Sequence, residues 1–317
     1  MFKNRSVAVV VPCFNEEKYI RKVIDTIPDF IDFIVVVDDK SLDHTVNIVK
    51  EYVATQKERV VLIEHKKNQG VGGAIASGYI WCRDHKINIS VVMAGDAQMD
   101  PNDLPALITP IAKGKYDYSK GNRLFTGDAW NKIPKIRYLG NSALSLLTKI
   151  ASGYWRVADS QCGYTAIGLD ALRKLDWSQM YKRFGQPNDL LVRLNIQNMR
   201  VCDIPVTPVY YPGAESGIKP LRMIPWFSVF IFKLFIMRMV QRYVVRDFHP
   251  LVFFYAFSAF LLGLTVPLLA IRFFVVWFIE HLVPPITTMS IIFVIITGIQ
   301  FLLFAMWFDM QYNMNLS

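Results

Sequence analysis

The chain has 317 residues, of which 53% are hydrophobic and 19% are charged, and its formal net charge at pH 7 is +9. This length and composition exclude a minimal domain and an ordinary soluble protein. The positive charge does not indicate nucleic-acid binding, because the basic residues form no dense run beside aromatic platforms for single strands. The four cysteines lack Cys-x-x-Cys spacing, so neither a zinc site nor a disulfide framework is expected.

The first two thirds of the chain alternate short β-branched runs with longer segments of helical periodicity. Strands are predicted at 7–11, 33–37, 60–63, 89–93 and 116–121, with a strand pair around 200–210. Helices are predicted at 16–27, 43–55, 71–85, 103–112, 139–150 and 188–197, and Asn15 is the expected N-cap of the first. The pattern predicts a mainly parallel sheet covered by helices on both faces.

Polar residues follow several of these strands, at the edge where α/β sheets bind ligands. Asp96 and Gln98 are one residue apart, and their oxygens suit Mg²⁺ or Mn²⁺; a turn capped by Asp96 is the structural alternative. Asp38 and Asp39 end the second strand, and Asp39 is expected to accept hydrogen bonds from a nucleobase or ribose. The glycine-rich segment 68–74 fits close ligand contact and helix–strand packing equally well.

Five segments occur in a characteristic order: VVPCFNEE at 10–17, VDDKSLDHT at 37–45, NQG at 68–70, GDAQMDP at 95–101 and DSQCGY at 159–164. With two apolar segments near the end of the chain, they resemble family 2 glycosyltransferases. The resemblance covers about 7–216 and is closest to the polyprenyl-phosphate branch, which includes dolichyl-phosphate mannose and glucose synthases.

The resemblance implies a GT-A fold, a divalent cation (Mg²⁺ or Mn²⁺) held by Asp96 and Gln98, and inverting transfer from a nucleotide sugar to a polyprenyl phosphate. Asp159 and Gln161 are expected to face the sugar and the lipid phosphate, and Arg123 to meet a phosphate. The residues expected to bind the donor are Pro12, Phe14, Asn15, Glu16, Asp38, Asp39, Gly70 and Asp96.

The chain departs from the family pattern at two positions and offers a second acceptor-side carboxylate. Ala94 stands where relatives have the first aspartate of the metal motif, which leaves Asp96 and Gln98 to hold the ion. Val71 stands where many relatives have a basic residue. Asp189 competes with Asp159 as the acceptor-side carboxylate, although a helix-capping role is the alternative for the Asn188-Asp189 pair.

The last part of the chain contains two apolar runs, 251–278 and 285–307, each longer than the roughly 20 residues needed to cross a bilayer. Arg222, Arg238, Arg242 and Arg246 are among the basic residues that precede them, as expected beside anionic headgroups on the cytoplasmic side. The predicted layout is a cytoplasmic GT-A domain at 1–212, juxtamembrane amphipathic helices at 213–249, two transmembrane helices at 250–310 and a cytoplasmic tail at 311–317.

The sequence thus predicts an integral membrane enzyme that uses UDP-glucose or a UDP-N-acetylhexosamine, with GDP-mannose next, and dolichyl or undecaprenyl phosphate. A processive polysaccharide synthase is one alternative, although 179–184 lacks the QxxRW spacing of such enzymes. A membrane-tethered nucleotide-sugar-binding protein without activity is the other alternative. No nucleic-acid partner is expected, and homo-oligomerisation is left open.

Overall fold

The computed structural model describes residues 1–124, 135–207, 209 and 220–317, with 135–143 and 220–225 described by their backbone alone. The chain divides into two compact units, Met1–Phe235 with Asn315–Ser317, and Ile236–Met314. The domain boundary predicted after residue 212 lies outside the described residues.

The first unit is an α/β structure whose elements follow the predicted order closely. They are β1 (Val7–Cys13), α1 (Ile20–Thr26), β2 (Phe33–Asp38), α2 (Thr45–Thr55), β3 (Val60–Glu64), α3 (Val71–Asp84), β4 (Ile89–Val92), α4 (Leu104–Ala112), β5 (Tyr118–Asn122), α5 (Lys135–Ser152), β6 (Thr165–Gly168), α6 (Leu169–Lys174), α7 (Gln186–Ile196), β7 (Val201–Pro205) and α8 (Pro220–Val240).

The strands form one seven-stranded sheet in the order β3-β2-β1-β4-β6-β5-β7. Of these seven strands, β6 alone runs antiparallel to its neighbours, β4 and β5, while β5 and β7 pair in parallel. Alternate residues of β1 are buried in two different cores, with Val9 packed on the side of α1, α2 and α4 and Val10 on the side of α3. A strand buried on both faces reads as a continuous apolar run, as this one does.

Three predictions about this unit differ from the structure. Helix α1 begins at Ile20 rather than at residue 16, and Tyr19 rather than Asn15 is its N-cap residue. Strand β6 was not predicted. Around 200–210 the sequence predicts a strand pair, but the described residues of this segment form one strand, β7.

The second unit consists of apolar helices. After a π-helical turn at Gln241–Arg246 come α9 (Leu251–Phe260), a second π-helical turn (Leu261–Thr265), α10 (Val266–Glu280) and α11 (Pro285–Tyr312). Among the described residues, two continuous helices, Leu251–Glu280 and Pro285–Tyr312, are long and apolar enough to cross a membrane, and almost none of their apolar residues is buried inside the protein.

A buried ion pair lies in this second unit. The two terminal guanidinium nitrogens of Arg238 donate to the two carboxylate oxygens of Asp309, each at 2.8 Å, and the hydroxyl of Tyr243 donates to the same carboxylate at 2.6 Å. Arg238 and Asp309 have no exposed surface. Because Arg238 is buried in this ion pair, the expectation that it faces lipid headgroups is wrong. A buried charge is tolerated when it is paired and hydrogen-bonded in this way.

Helix α3 lies unusually close to β1, and Gly78 permits this approach. A Cβ at Gly78 would lie 2.3 Å from Cγ1 of Val10. We predict that Gly78→Ala lowers the free energy of unfolding by about 1–3 kcal/mol, even though alanine favours a helix, because the core is overpacked.

Denaturant unfolding of the full chain in detergent tests this prediction, with Val10→Ala as the compensating variant. The double variant should lose less stability than the sum of the two single variants, because removing the valine methyl groups makes room for the new Cβ. Strict additivity of the two losses would contradict the steric explanation.

Candidate active site

The carboxyl ends of β1, β2 and β4 bring three of the predicted motifs together. Cys13 of β1 pairs with Asp38 of β2, and the amide of Gly95 donates to the carbonyl of Pro12 at 3.2 Å. The loop after β1 is also fixed to the loop after β2, because Asn15 accepts from the amide of Leu42 at 2.8 Å. The side chain of Asn15 is thus used between two loops rather than as a helix cap.

Carboxylates crowd this edge of the sheet. The side chain of Glu16 lies against Gly95, where a Cβ would lie 3.4 Å from Cγ of Glu16. Burial, followed by the charges of Asp96 and Asp43, raises the pKa of Glu16 to about 7. Burial also raises the pKa of Asp96. The shift of Glu16 indicates that several carboxylates lie close together at this edge, and the shift of Asp96 shows that its carboxylate is shielded from water.

The loop that carries Asp96 and Gln98 is tightly turned. Ala97 adopts a positive φ of 56°, and Oδ1 of Asp96 accepts from the amide of Gln98 at 3.0 Å. Asp96 therefore caps this turn, as the structural alternative has it, and its carboxylate also lies within the charge field of Glu16. A non-glycine residue in the left-handed region is uncommon, and such residues are enriched at functional sites.

The chemistry of this edge fits a hard divalent cation. No group of three His, Cys, Asp or Glu side chains able to hold a metal occurs among the described residues. Mg²⁺ and Mn²⁺ do not need one, since they bind one or two carboxylates and complete their shell with water and substrate phosphates. The uncompensated charge of Glu16 and Asp96, with the Gln98 amide nearby in sequence, meets this requirement.

Asp39 is buried and joined to the glycine-rich segment. Its carboxylate accepts from the amides of Gln69 and Gly70, each at 2.7 Å, and contacts Nδ1 of His65 at 2.8 Å. The other ring nitrogen of His65 lies 2.8 Å from Oγ of Ser77. His65 was not predicted from the sequence as a site residue, although its place directly after β3 follows the same strand-end rule.

The glycines of this segment provide close backbone packing. A Cβ at Gly70 would lie 2.5 Å from the carbonyl oxygen of Lys182, and one at Gly72 would lie 2.4 Å from that of Tyr181. Gly70 also has a φ of +84°. These contacts support the packing interpretation of segment 68–74, and the Gly70 amide that could meet a phosphate already donates to Asp39.

The remaining donor-side residues differ in exposure. Pro12 and Asp38 are buried, and Oδ2 of Asp38 accepts from the amide of Ser41 at 3.0 Å. Phe14 is 45% exposed, which is unusual for a phenylalanine at the edge of a core and leaves its ring available to a ligand. Their assignment to donor binding stays a prediction.

Asp159 is fully buried and forms a bidentate ion pair with Arg123. Nε of Arg123 donates to Oδ2 at 2.8 Å and its terminal nitrogen donates to Oδ1 at 3.1 Å. Burial disfavours the charge of Asp159, but the hydrogen bonds and charge of Arg123 outweigh it and lower the pKa of the carboxyl. Arg123 keeps 28% of its side chain exposed, so the pair extends from the interior to the surface.

Gln161 and Asn188 join the Asp159 loop to helix α7. The side-chain amide of Gln161 donates to Oδ1 of Asn188 at 2.9 Å. Asp189, the competing carboxylate, instead accepts from Nε of Arg193 and from the amide of Tyr181. It lies inside α7, whose N-cap residue is Gly185, so the capping alternative for this pair is wrong.

We predict that Asp39→Asn lowers the free energy of unfolding by about 1–3 kcal/mol without any nucleotide, because an amide cannot accept all three hydrogen bonds. Asp170→Asn, an exposed aspartate on α6, is the control and should have little effect. Unchanged stability of Asp39→Asn together with lost nucleotide binding would show that Asp39 contacts only the ligand.

We also predict that Glu16→Gln changes the pH dependence of stability. The folded protein keeps the Glu16 proton between about pH 4.5 and 7, whereas the unfolded chain releases it, so wild-type stability falls as the pH rises through this window. The variant lacks this loss. Between pH 4.5 and pH 8, wild type should therefore lose about 1 kcal/mol more stability than Glu16→Gln does, once the pKa shift is discounted for solvent screening. Identical pH profiles in EDTA-containing buffer would contradict the crowding of carboxylates.

The domain described as glycosyl transferase family 2 matches residues 8–176, which is more than half of the chain. A UDP-N-acetylglucosamine–dolichyl-phosphate N-acetylglucosaminyltransferase from Methanococcus voltae is 29% identical over 219 residues, which cover 65% of this chain and 87% of the relative. An undecaprenyl-phosphate mannosyltransferase from Micrococcus luteus is 26% identical over 216 residues, which cover 67% and 87%.

A solved structure supports the same fold. The Mycobacterium tuberculosis glucosyl-3-phosphoglycerate synthase in complex with Mn²⁺, UDP-glucose and phosphoglyceric acid matches 74% of this chain and 80% of its own, with a TM-score of 0.53 and 20% identity. The predicted GT-A architecture is confirmed by this likeness and by the observed sheet. The chain therefore belongs to glycosyltransferase family 2.

Proposed function

We propose that this glycosyltransferase transfers a sugar from a nucleotide sugar to a polyprenyl phosphate, with inversion at the sugar carbon. The proposal rests chiefly on the Asp159–Arg123 pair, in which a buried carboxylate and a partly exposed guanidinium lie beside each other. Both named relatives act on a polyprenyl phosphate, which supports the same acceptor for this chain.

On the donor side, the acidic edge would bind a divalent cation together with the nucleoside diphosphate. Asp96, Glu16 and Gln98 would hold the ion, and its charge would stabilise the leaving diphosphate. Phe14 offers its exposed ring to the base, while Asp39 keeps the glycine-rich segment in place. We favour a UDP-linked donor carrying glucose or an N-acetylhexosamine, because the Methanococcus voltae relative is named for UDP-N-acetylglucosamine. GDP-mannose is the next choice, because the Micrococcus luteus relative is named as a mannosyltransferase.

On the acceptor side, the lipid phosphate needs little activation. A phosphate monoester carries between one and two negative charges at neutral pH, so its oxygen can attack the sugar carbon directly. The new bond joins this oxygen to the sugar carbon, and the bond from the sugar carbon to the diphosphate breaks. The guanidinium of Arg123 attracts the phosphate, which can approach its exposed portion.

The chemistry of Asp159 favours a role in orienting other groups rather than a role as general base. Its lowered pKa makes the carboxylate a weak base at neutral pH, whereas an efficient general base has a pKa near the working pH. Asp159 has no exposed surface, so it would act by holding the partly exposed Arg123 guanidinium in position. Positioning of this kind provides much of the rate enhancement when a nucleophile is already reactive.

The apolar surface of the protein suits a lipid acceptor. Helix α8 exposes Trp226, Val229 and Phe232 on the first unit. Trp226 and Phe230 stack on each other, and both rings pack at a tilt against Tyr181. The side chain of Arg222, which the sequence predicts near the lipid phosphate, lies outside the described residues. We propose that Leu251–Glu280 and Pro285–Tyr312 span the membrane and that the catalytic unit faces the cytoplasm.

We predict that Asp96→Ala and Asp159→Asn each reduce transfer by at least about 100-fold, since one removes a ligand of the cation and the other the acceptor-side charge. Asp170→Asn, exposed and remote from both, should keep wild-type activity. The assay supplies purified protein with dolichyl or undecaprenyl phosphate, Mn²⁺ or Mg²⁺, and radiolabelled UDP-glucose, UDP-N-acetylglucosamine or GDP-mannose.

Wild-type turnover in either variant would remove that aspartate from the active site. A lipid product carrying a single sugar would support the proposed reaction, whereas long polymers would identify a processive synthase. Tight binding of nucleotide with no transfer from any donor in the panel would favour a binding protein.

A further inference from the structure

A buried lysine lies beneath the loop 158–163, which carries Asp159. Lys120, in the middle of β5, has no exposed surface, and its ammonium group donates to the carbonyl of Cys162 in this loop. The donor-side and acceptor-side roles proposed above do not use this residue. A lysine is rarely buried completely unless its charge is paired, because desolvating an ammonium group is costly.

Asp203 on the neighbouring strand fixes the other end of the same loop. It is directly opposite Lys120 in the parallel pairing of β5 with β7. Its Oδ2 accepts from the amide of Ala158 at 2.6 Å and from the side-chain amide of Asn122 at 3.0 Å. The loop is therefore held on both sides of Asp159, at Ala158 by Asp203 and at Cys162 by Lys120.

The charges of this region are balanced. Lys120 and Arg123 are positive, Asp159 and Asp203 are negative, and Lys120 interacts with both carboxylates through the low-dielectric interior. Burial lowers the pKa of Lys120, while these carboxylates oppose the shift. Without Lys120, Arg123 would be the remaining cation of these four residues, beside the fully buried Asp159 and the half-buried Asp203, and charges in such a setting are poorly tolerated.

We propose that Lys120 is a positioning residue for Asp159, which it holds in place through the Cys162 carbonyl and through its positive charge. This inference rests on the function proposed above. Lys120 acts on the loop rather than on substrate, because its ammonium group donates to the Cys162 carbonyl, whereas the partly exposed Arg123 can meet an acceptor phosphate. Lys120 then holds the Asp159 loop in place during the transfer, and its charge adds to that of Arg123 beside the carboxylate.

The test compares Lys120→Met with Ser119→Ala in the full chain in detergent. Ser119, the preceding residue of β5, is also fully buried and donates to a main-chain carbonyl, that of Leu107, at 2.6 Å. Both variants lose one buried donor on the same strand, but Ser119 bonds to α4 rather than to the Asp159 loop. Ser119→Ala therefore measures the effect of a structural loss alone.

We expect Lys120→Met to lower kcat by about 10- to 100-fold, as a small misplacement of a reacting group can do, with the KM for the nucleotide sugar nearly unchanged. Ser119→Ala should keep wild-type kcat. Titration with UDP and GDP counts the folded, binding-competent fraction, so that kcat is calculated per active site. A wild-type kcat in Lys120→Met, or equal losses of kcat in both variants, would overturn the proposal.

Asp159→Asn separates this proposal from the proposed function. If Lys120 acts through Asp159, the double variant Lys120→Met/Asp159→Asn should be no slower than Asp159→Asn alone, since the group being positioned is already missing. Full activity of Asp159→Asn would contradict the proposed function itself. An inactive Asp159→Asn with a fully active Lys120→Met would contradict only the role of Lys120.

If Lys120→Met does not fold, Asp203→Asn provides the second variant, because it keeps the shape of the side chain and one acceptor oxygen. We expect it to lower kcat by about tenfold with unchanged UDP or GDP binding, since the loop loses part of its support. A wild-type kcat would overturn the proposal. Failure of both variants to fold would also overturn it, in favour of a purely structural role.

Discussion

The ion pair between Arg123 and Asp159 is the interaction on which the proposed acceptor side of this site depends. Two nearly parallel hydrogen bonds fix the planar guanidinium against a carboxylate that has no exposed surface. A buried carboxylate requires such a partner, and a bidentate pair fixes direction as well as charge. Because Arg123 reaches the surface, the same pair can meet an incoming phosphate while Asp159 stays in the interior.

The two sides of the site differ in their charge balance. On the acceptor side, Lys120 and Arg123 compensate Asp159 and Asp203 within the protein. On the donor side, burial raises the pKa values of Glu16 and Asp96, and the charges of Asp96 and Asp43 add to the shift of Glu16, so we expect compensation there to come from outside the protein. A nucleoside diphosphate with a divalent cation brings negative phosphates and the required positive charge together, which fits this asymmetry.

The sequence predicted the parallel half of the sheet well, because buried strands such as 33–37 and 60–63 are continuous apolar runs. Strand β6 was missed because a four-residue stretch, Thr165–Gly168, gives no detectable period and its antiparallel pairing depends on distant strands. Asn15 was assigned to a helix cap, yet its side chain bonds to the next loop, a contact that local sequence does not reveal. Lys120 is recognisable in the sequence as a charged residue within a predicted strand. The Cys162 carbonyl that it contacts becomes adjacent only in the folded chain.

The most direct test is a structure of the protein with Mn²⁺ and UDP-N-acetylglucosamine or UDP-glucose, in which anomalous scattering locates the metal. We predict Mn²⁺ beside Asp96, the diphosphate bound to it, and the sugar carbon facing the Asp159–Arg123 pair, with space for an acceptor phosphate beside Arg123, on the side of the sugar opposite the diphosphate. Binding of the diphosphate away from Asp96, or a sugar turned away from Asp159, would contradict the proposed arrangement.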